Sequence, residues 1–416
     1  MGCWEEAKLD QKRNMELRKP APLVGRRVDY SIAVIVLALI AVGLVMVYST
    51  GWVSILKQTG GASDRNSLFY NQLVSFGLGL VVWYACTKIP LSWLRRAAPY
   101  VFYISLALMF LVLVPKIGVN INGASRWVRI GFLNFQPVEF FKLGFVLYLA
   151  HWLQKNNSKL NVKSWLEGLL PFLILLFVSA GLVTVIQRDM GSAMVIAMIG
   201  FGMYWMSGVQ IRLFVIALGA ALGSAVAMVL LFPYRLSRVL TFLNHSDDPS
   251  GASYHINQAL IALGSGGLFG RGIGKSLQAY GYLPEATNDS VFAIIGEEFG
   301  ILGCSVVIGL VGLLVYRGFR IVASTQDEFA RLVAAGITIW IGAQATINIA
   351  AMLGIIPLTG ITLPFISYGG TSLLALLAAV GILQNISRYS TKETRHANRP
   401  FGRRQRRAHH TATGRA

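Results

Sequence analysis

The chain has 416 residues, 55% of them hydrophobic and only 13% charged, with a formal net charge of +19. That balance excludes an ordinary water-soluble enzyme. Cys3, Cys86 and Cys304 stand singly, so neither a disulfide framework nor a zinc site is indicated.

Residues 1–30 are polar and read as a cytoplasmic N-terminal segment; the opening MGCWEE lacks the Ser or Thr of a myristoylation signal. Apolar runs of about 20 residues, the length that crosses about 30 Å of hydrocarbon as a helix, then recur along the chain. They lie at approximately 31–50, 68–87, 99–116, 135–153, 168–187, 191–208, 211–232, 289–316, 329–352 and 365–387. The first is longer than the apolar core of a cleavable signal and stays as a helix. The expected fold class is all-α, a polytopic integral membrane protein of about ten transmembrane helices over residues 31–387. Lys and Arg concentrate in the segments that are cytoplasmic when both termini are inside, which favours an N-in/C-in topology.

In that topology the long loop 233–288, between helices 7 and 8, is external. Long loops in bundles whose other connections are short tend to be functional. The tail 388–416 carries nine basic residues against the single acid Glu393 and is expected to be disordered. Its expected partner is the anionic face of the lipid bilayer, not nucleic acid. No internal repeat is visible, which weighs against an inverted-repeat transporter.

The segment GSGGLFGRGIGKS, Gly264 to Ser276, ends like a nucleotide-binding P-loop, but the required first glycine falls on Phe269. What remains is a Gly-rich loop with re-entrant turns, in which Arg271 and Lys275 sit where backbone N–H groups can approach an anion. External cations run against the topology rule and need local reasons. Arg126 and Arg129 flank Trp127 in GASRWVRIG, and Arg235 and Arg238 follow Pro233 in FPYRLSRV. An interfacial anchor is the ordinary reading of such clusters. The sharper reading is a belt of cations at the outer surface holding a pyrophosphate, with Arg supplying forked donors.

Charges inside spans are expensive, about 2.5–3.5 kcal/mol each at a helix centre on insertion scales. Glu139 and Lys142, at i and i+3 in QPVEFFKL, share a helix face and can neutralise each other. Gln187 and Asp189 in IQRDMGSA stand at an outer helix end. Asp289 stands where the long loop enters helix 8, after Glu285, and either Asn288 or Asp289 suits the N-cap. Glu297 and Glu298 lie about two turns deeper and are expected to face the bundle interior. His151, His245 and His255 are scattered and form no metal cluster. Asp247 and Asp248 in SDDPSG can hold a divalent cation, although such a sequence more often makes a solvated turn.

Six blocks, in order, carry a resemblance: GASRWVRIG with QPVEFFKL, QRDMGSA, PYRLSRV, SYHINQALIALGSGGLFGRGIG, LPEATNDSVFAIIGEEFGILG and GIIPLTGITLPFISYGGTSLL. From about Asp29 to Ser387 the chain resembles the SEDS family (shape, elongation, division and sporulation), polytopic glycosyltransferases that polymerise peptidoglycan from lipid II. Its long polar N-terminus and basic tail are closer to the division member than to the elongation member. The resemblance implies that the 4-hydroxyl of one lipid II disaccharide attacks the anomeric carbon of a lipid-linked glycan, with undecaprenyl pyrophosphate leaving and inversion of configuration.

The family's external-loop aspartate falls on Asp289, which is expected to be the general base. Expected to bind substrate are Arg126, Trp127, Arg129, Gln136, Glu139, Lys142, Gln187, Asp189, Arg235, Arg238, Tyr254, Gln258, Arg271, Lys275, Glu285, Glu298 and Ser367. The implied partners are lipid II, lipid-linked nascent glycan, a class B penicillin-binding protein that crosslinks the product, and other membrane proteins of the divisome. The implied location is the bacterial cytoplasmic membrane at the division septum. A divalent cation, Mg or Mn, is the one cofactor left open.

The chain departs from the family form at several points. Asn288 precedes and Ser290 follows the aspartate where the family has His-Thr and Phe, Gln187-Arg188-Asp189 stands for Gln-Pro-Asp, and NHSDDP lacks a customary Pro. A lipid II flippase and a non-catalytic division scaffold are the rival readings.

Overall fold

A computed structural model of the chain describes residues 29–59, 67–121, 124–130, 133–160, 168–231 and 252–389. In lipid every backbone polar group must find a partner within the protein, so each apolar run closes into a helix. In chain order these are α1 (Tyr30–Thr59), α2 (Ser67–Cys86), α3 (Leu91–Phe110), α4 (Pro137–Leu160), α5 (Leu170–Ile186), α6 (Met190–Met206) and α7 (Ile211–Leu231). A short α8 (Ala252–Ser265) lies within the long loop and precedes α9 (Val291–Ser324), α10 (Glu328–Met352) and α11 (Gly370–Ser387). All but α8 answer one for one to the expected spans. Six of them are long and apolar enough to cross a membrane, and α5, α6 and most of α7 are shorter apolar helices.

The buried centre is α10 and α11, mostly apolar helices buried on nearly every side, with Gln344, Asn348 and Ser372 among the few polar residues inside. Around them α2, α3 and α7 turn Val81, Ile104 and Leu222 outward, where hydrocarbon is the solvent. Helix α3 begins eight residues before the expected start at 99, because Pro99 lies inside the helix and does not open it. The earlier turns hold Arg95, whose guanidinium donates to both carboxylate oxygens of Asp327, at 2.9 and 2.6 Å.

That contact marks one end of the bundle. Arg317 faces Asp29 there at 4.0 Å, and the Asp29 N–H donates to Ser387 Oγ at 3.2 Å, joining the start of α1 to the end of α11. The opposite end holds the turn at 187–189, the segment 281–290 and the crossing 353–369 between α10 and α11. Asp289 therefore lies at the face away from both chain ends, which the positive-inside rule makes the external one.

The all-α bundle is as expected, and that face adds a small sheet to it. Residues read as loop and helix approach form a three-stranded antiparallel sheet, β1 (Gly118–Ile121), β2 (Ala124–Ile130) and β3 (Leu133–Phe135), in the order β1-β2-β3. Val119 pairs with Trp127, and Arg129 with Asn134. Strand side chains alternate between faces. Val128 is fully buried, and Trp127 and Arg129 flank it on the other face; Arg126 is the extra residue of a bulge between the pairs Asn120–Ser125 and Val119–Trp127.

Helix α9 extends past the expected end at 316 and is broken at Gly300, whose φ of 67° and ψ of −163° are open only to glycine. The break leaves helical N–H and C=O groups without partners, and the Gly-rich loop supplies them. Arg271 and Gly272 donate their N–H groups to the carbonyls of Glu297 and Glu298, at 2.9 and 3.0 Å. Ile301 and Leu302 donate to Gly267 and Leu268, at 3.0 and 3.3 Å.

The two buried carboxylates complete this insertion. Glu297 accepts from the N–H groups of Leu277 (2.9 Å) and Gln278 (3.2 Å) and from the Ser276 hydroxyl (2.5 Å). Glu298 accepts from the Gly274 N–H at 3.0 Å and from Ser49 of α1 at 2.5 Å. Irregular backbone beside a membrane helix is tolerated when its polar groups are satisfied in this way.

A Cβ at residue 300 would stand 2.5 Å from both Gly270 N and Leu268 O. We expect Gly300→Ala to cost at least about 1–3 kcal/mol from its backbone conformation alone, read as a lower melting temperature in detergent. Gly309→Ala, in open space on the same helix, should leave melting near wild type.

Candidate active site

Asp289 ends the loop that leads into α9. The N-cap position of that helix is Ser290, which makes no side-chain cap bond, so capping does not occupy the Asp289 carboxyl. The main chain around it is pinned instead. Asn348 of α10 donates one amide group to the Asp289 carbonyl and to the Ile361 carbonyl, both at 2.7 Å. The Tyr368 N–H donates to the Thr287 carbonyl at 2.9 Å.

Arg126 reaches the site from β2. Its guanidinium donates to the carbonyls of Arg188 (2.9 Å) and Gln187 (3.4 Å), at the turn between α5 and α6. A Cβ built on Gly360 would stand 3.5 Å from Arg126 Nη1 and 3.8 Å from Asp289 Oδ2. Gly360, with φ of 69°, thus borders a gap between carboxylate and guanidinium that a side chain would fill.

Burial pushes the Asp289 carboxyl up to about 7, and the Glu285 charge adds to the rise. Bonds from its own N–H and the Ser290 hydroxyl, together with the Arg126 charge, pull the other way without cancelling it. A carboxyl poised there changes protonation at neutral pH, as a general base requires. Removing the like charge with Glu285→Gln favours the ionised form and should move the acid limb of any Asp289-dependent activity to lower pH. Because Glu285 is exposed, salt should shrink the difference.

The other expected contacts sort by geometry. Arg129 is exposed, with Nε donating to Asn134 Oδ1 at 2.9 Å, and it shares with Trp127 the strand face opposite the buried Val128. Gln136 is half-buried at the entrance of α4, and Tyr254 and Gln258 are half-buried on one face of α8. Asp189 N-caps α6, accepting from the Ser192 N–H (3.0 Å) and hydroxyl (2.8 Å), which is a structural duty. The Gln187 amide is fully buried and makes no hydrogen bond among the described residues. Arg188 has φ of 50°, which Pro cannot adopt, so the missing Pro changes the shape of this turn.

Several expected substrate contacts are consumed elsewhere. Glu139 and Lys142 are buried and bonded to each other at 2.7 Å. Ser367 accepts from the Leu363 N–H at 2.8 Å and holds a turn. Arg271 lies 3.6 Å from Glu297, so its charge is largely spent within the loop, and Glu298 holds that loop from below. Lys275 is exposed on it. Arg235 and Arg238 lie outside the described residues, as do Asp247, Asp248 and His245.

Reading the sequence missed Asn348 and His255. Asn348 left a signal, a polar side chain near the end of an apolar helix. His255, whose Nε2 lies 2.6 Å from Ser290 Oγ, left none, because its partner is 35 residues away. Among the described residues no three His, Cys, Asp or Glu side chains gather as a metal site.

A family model described as cell cycle protein, covering FtsW, RodA and SpoVE, matches residues 30–392. The probable peptidoglycan glycosyltransferase FtsW of Trichlorobacter lovleyi is 38% identical over 372 residues, covering 89% of this chain and 95% of that protein. Stage V sporulation protein E of Bacillus subtilis is 38% identical, covering 87% of this chain and 97% of its own. Among solved structures, a peptidoglycan synthase complex that coordinates polymerization and crosslinking superposes with a TM-score of 0.70 at 30% identity, over 87% of this chain and 98% of that one. The rod shape determining protein RodA of Thermus thermophilus gives 0.63 at 30% identity, over 88% and 98%. With the match spanning the whole bundle, this chain belongs to the FtsW/RodA/SpoVE family of cell-cycle proteins.

Proposed function

We propose that this chain is a peptidoglycan glycosyltransferase that polymerises lipid II at the external face of the cytoplasmic membrane, with Asp289 as general base. Relatives at 38% identity bearing that enzyme name support the reaction class. The observation that carries the assignment of the base is a carboxyl free of capping duty, raised to about 7, with Arg126 across a gap bordered by Gly360.

In the reaction the 4-hydroxyl of the acceptor disaccharide gives its proton to Asp289 as its oxygen bonds to the anomeric carbon of the donor. The bond from that carbon to the pyrophosphate breaks on the opposite face, and configuration inverts. Arg126, fixed by two carbonyls, supplies positive charge where the departing pyrophosphate gains negative charge. This is the geometry of an inverting glycosidase with a sugar hydroxyl in place of water. Among the described residues no three His, Cys, Asp or Glu side chains gather to hold a Mg or Mn ion, and Asp247 and Asp248 lie outside them.

Septal cell division is the proposed setting, supported by the FtsW relatives. A class B penicillin-binding protein is the proposed partner, supported by the similarity to a solved synthase complex. Purified protein in liposomes, with and without that transpeptidase, should convert lipid II to glycan strands visible on gels. Translocation of lipid II headgroups with no strand formation would instead support a flippase and overturn the polymerase reading.

A further inference from the structure

Ser290 carries a hydroxyl with three polar neighbours. Its Oγ lies 2.6 Å from His255 Nε2, 2.9 Å from the Pro284 carbonyl oxygen and 3.4 Å from Asp289 Oδ1. Ser290 is fully buried, and a hydroxyl has one hydrogen to give. The Pro284 carbonyl can only accept, and so can an ionised Asp289. Only His255 is left to donate, through Nε2–H. Burial holds its pKa down to about 4, so the ring is neutral at pH 7 and carries a single N–H.

We propose that His255 and Ser290 form a relay that sets how readily Asp289 takes a proton. The Ser290 hydrogen turns toward Asp289 Oδ1 while that carboxylate is ionised and returns to the Pro284 carbonyl once it is protonated. The His255 N–H stays on Ser290 Oγ throughout. This rests on the reading of Asp289 as base, and both are positioning residues, since neither gains or loses a proton over the cycle. The other groups facing Asp289 are accounted for: Glu285 from its own loop, Arg126 from β2 and the neutral Asn348 from α10. The crossing 353–369 contributes no charged residue.

The test is the pH dependence of lipid II polymerisation by the full chain in liposomes. Ser290→Ala removes a bond to the charged form of Asp289. Its acid limb should move up by no more than about 0.7 pH unit, the ceiling set by a typical hydrogen bond, making it up to about fivefold slower on the acid side with the alkaline plateau unchanged. His255→Phe should shift the limb the same way, and the double variant should shift it no further than the larger single shift. Ser290→Thr keeps the hydroxyl and His255→Gln keeps an N–H donor, so both should follow the wild-type profile.

Unmoved limbs in Ser290→Ala and His255→Phe, or a lowered plateau with no shift, would overturn the relay while leaving the base intact. Should His255→Phe melt too low to assay, the contrast between Ser290→Ala and Ser290→Thr decides. Asp289→Asn runs beside them: strand synthesis by that variant would sink the base and the relay together, whereas an inactive Asp289→Asn with unshifted Ser290→Ala sinks the relay alone.

Discussion

Asp289→Asn should make no measurable glycan while still binding lipid II. Asn keeps the shape and polarity of the side chain and cannot take up a proton, so the loss should fall in the range of about 10²–10⁴-fold expected for a missing general base. The fold should survive, because what pins this loop is main chain: Asn348 holds the Asp289 carbonyl and Tyr368 holds that of Thr287. Stability should even rise. A carboxyl whose folded pKa is raised from 3.8 to about 7 binds more protons folded than unfolded between those values, so the wild type loses stability as pH climbs through that window. The Asn variant does not titrate there and should melt higher at pH 8, with a smaller gap at pH 5. Lipid II binding, strand synthesis and melting at two pH values together separate a lost base from a damaged fold.

Lys142→Ala should do the reverse, removing the fold and not the chemistry. Lys142 Nζ donates to Glu139 Oε1 at 2.7 Å and to Gln344 Oε1 at 2.9 Å, and sits 5.3 Å from the Trp340 ring centre. Ser372 of α11 donates to the other Glu139 oxygen at 3.2 Å, and Gln344 donates to the Thr362 carbonyl at 3.0 Å. One buried cation thus ties α4, α10 and α11 to the crossing that carries Gly360. Truncating it strands Glu139 in the bundle interior, which costs about 3–5 kcal/mol when a buried pair loses one partner. Little folded protein should accumulate, as read by size-exclusion chromatography in detergent. Glu139→Gln with Lys142→Met removes both charges and should recover much of the fold, with strand synthesis retained. A charge pair that touched substrate would give folded, inactive protein instead.

The spans were legible because burial in lipid imposes about 20 apolar residues on each one, and no tertiary knowledge is needed to count them. Asp289 was legible by its place at a loop-to-helix entry within a recognisable block. The sheet was not. Its strands are short, and Arg126, Trp127 and Arg129 read equally well as an interfacial anchor until the bulge at Arg126 and its bonds to the carbonyls of Gln187 and Arg188 set it apart. Glu297 and Glu298 lie inside the bundle as expected, but their partners are backbone N–H groups some twenty residues upstream and the hydroxyls of Ser276 and Ser49, and the sequence advertises neither a main-chain donor nor a serine on a distant helix. Glu139 and Lys142 show the same limit from the other direction. Their spacing disclosed the pair, while Gln344 and Ser372, which settle its structural character, come from helices distant in sequence.

The insertion of the Gly-rich loop into the break of α9 also bears on biogenesis. Two carboxylates in one apolar helix oppose its exit from the translocon into lipid. Here the ribosome makes residues 266–278 before residues 297–298, so the groups that will receive those carboxylates have already left the ribosome when the helix emerges. Synthesis order and hydrogen-bonding order coincide, and a charged helix can enter the bilayer with its partners waiting.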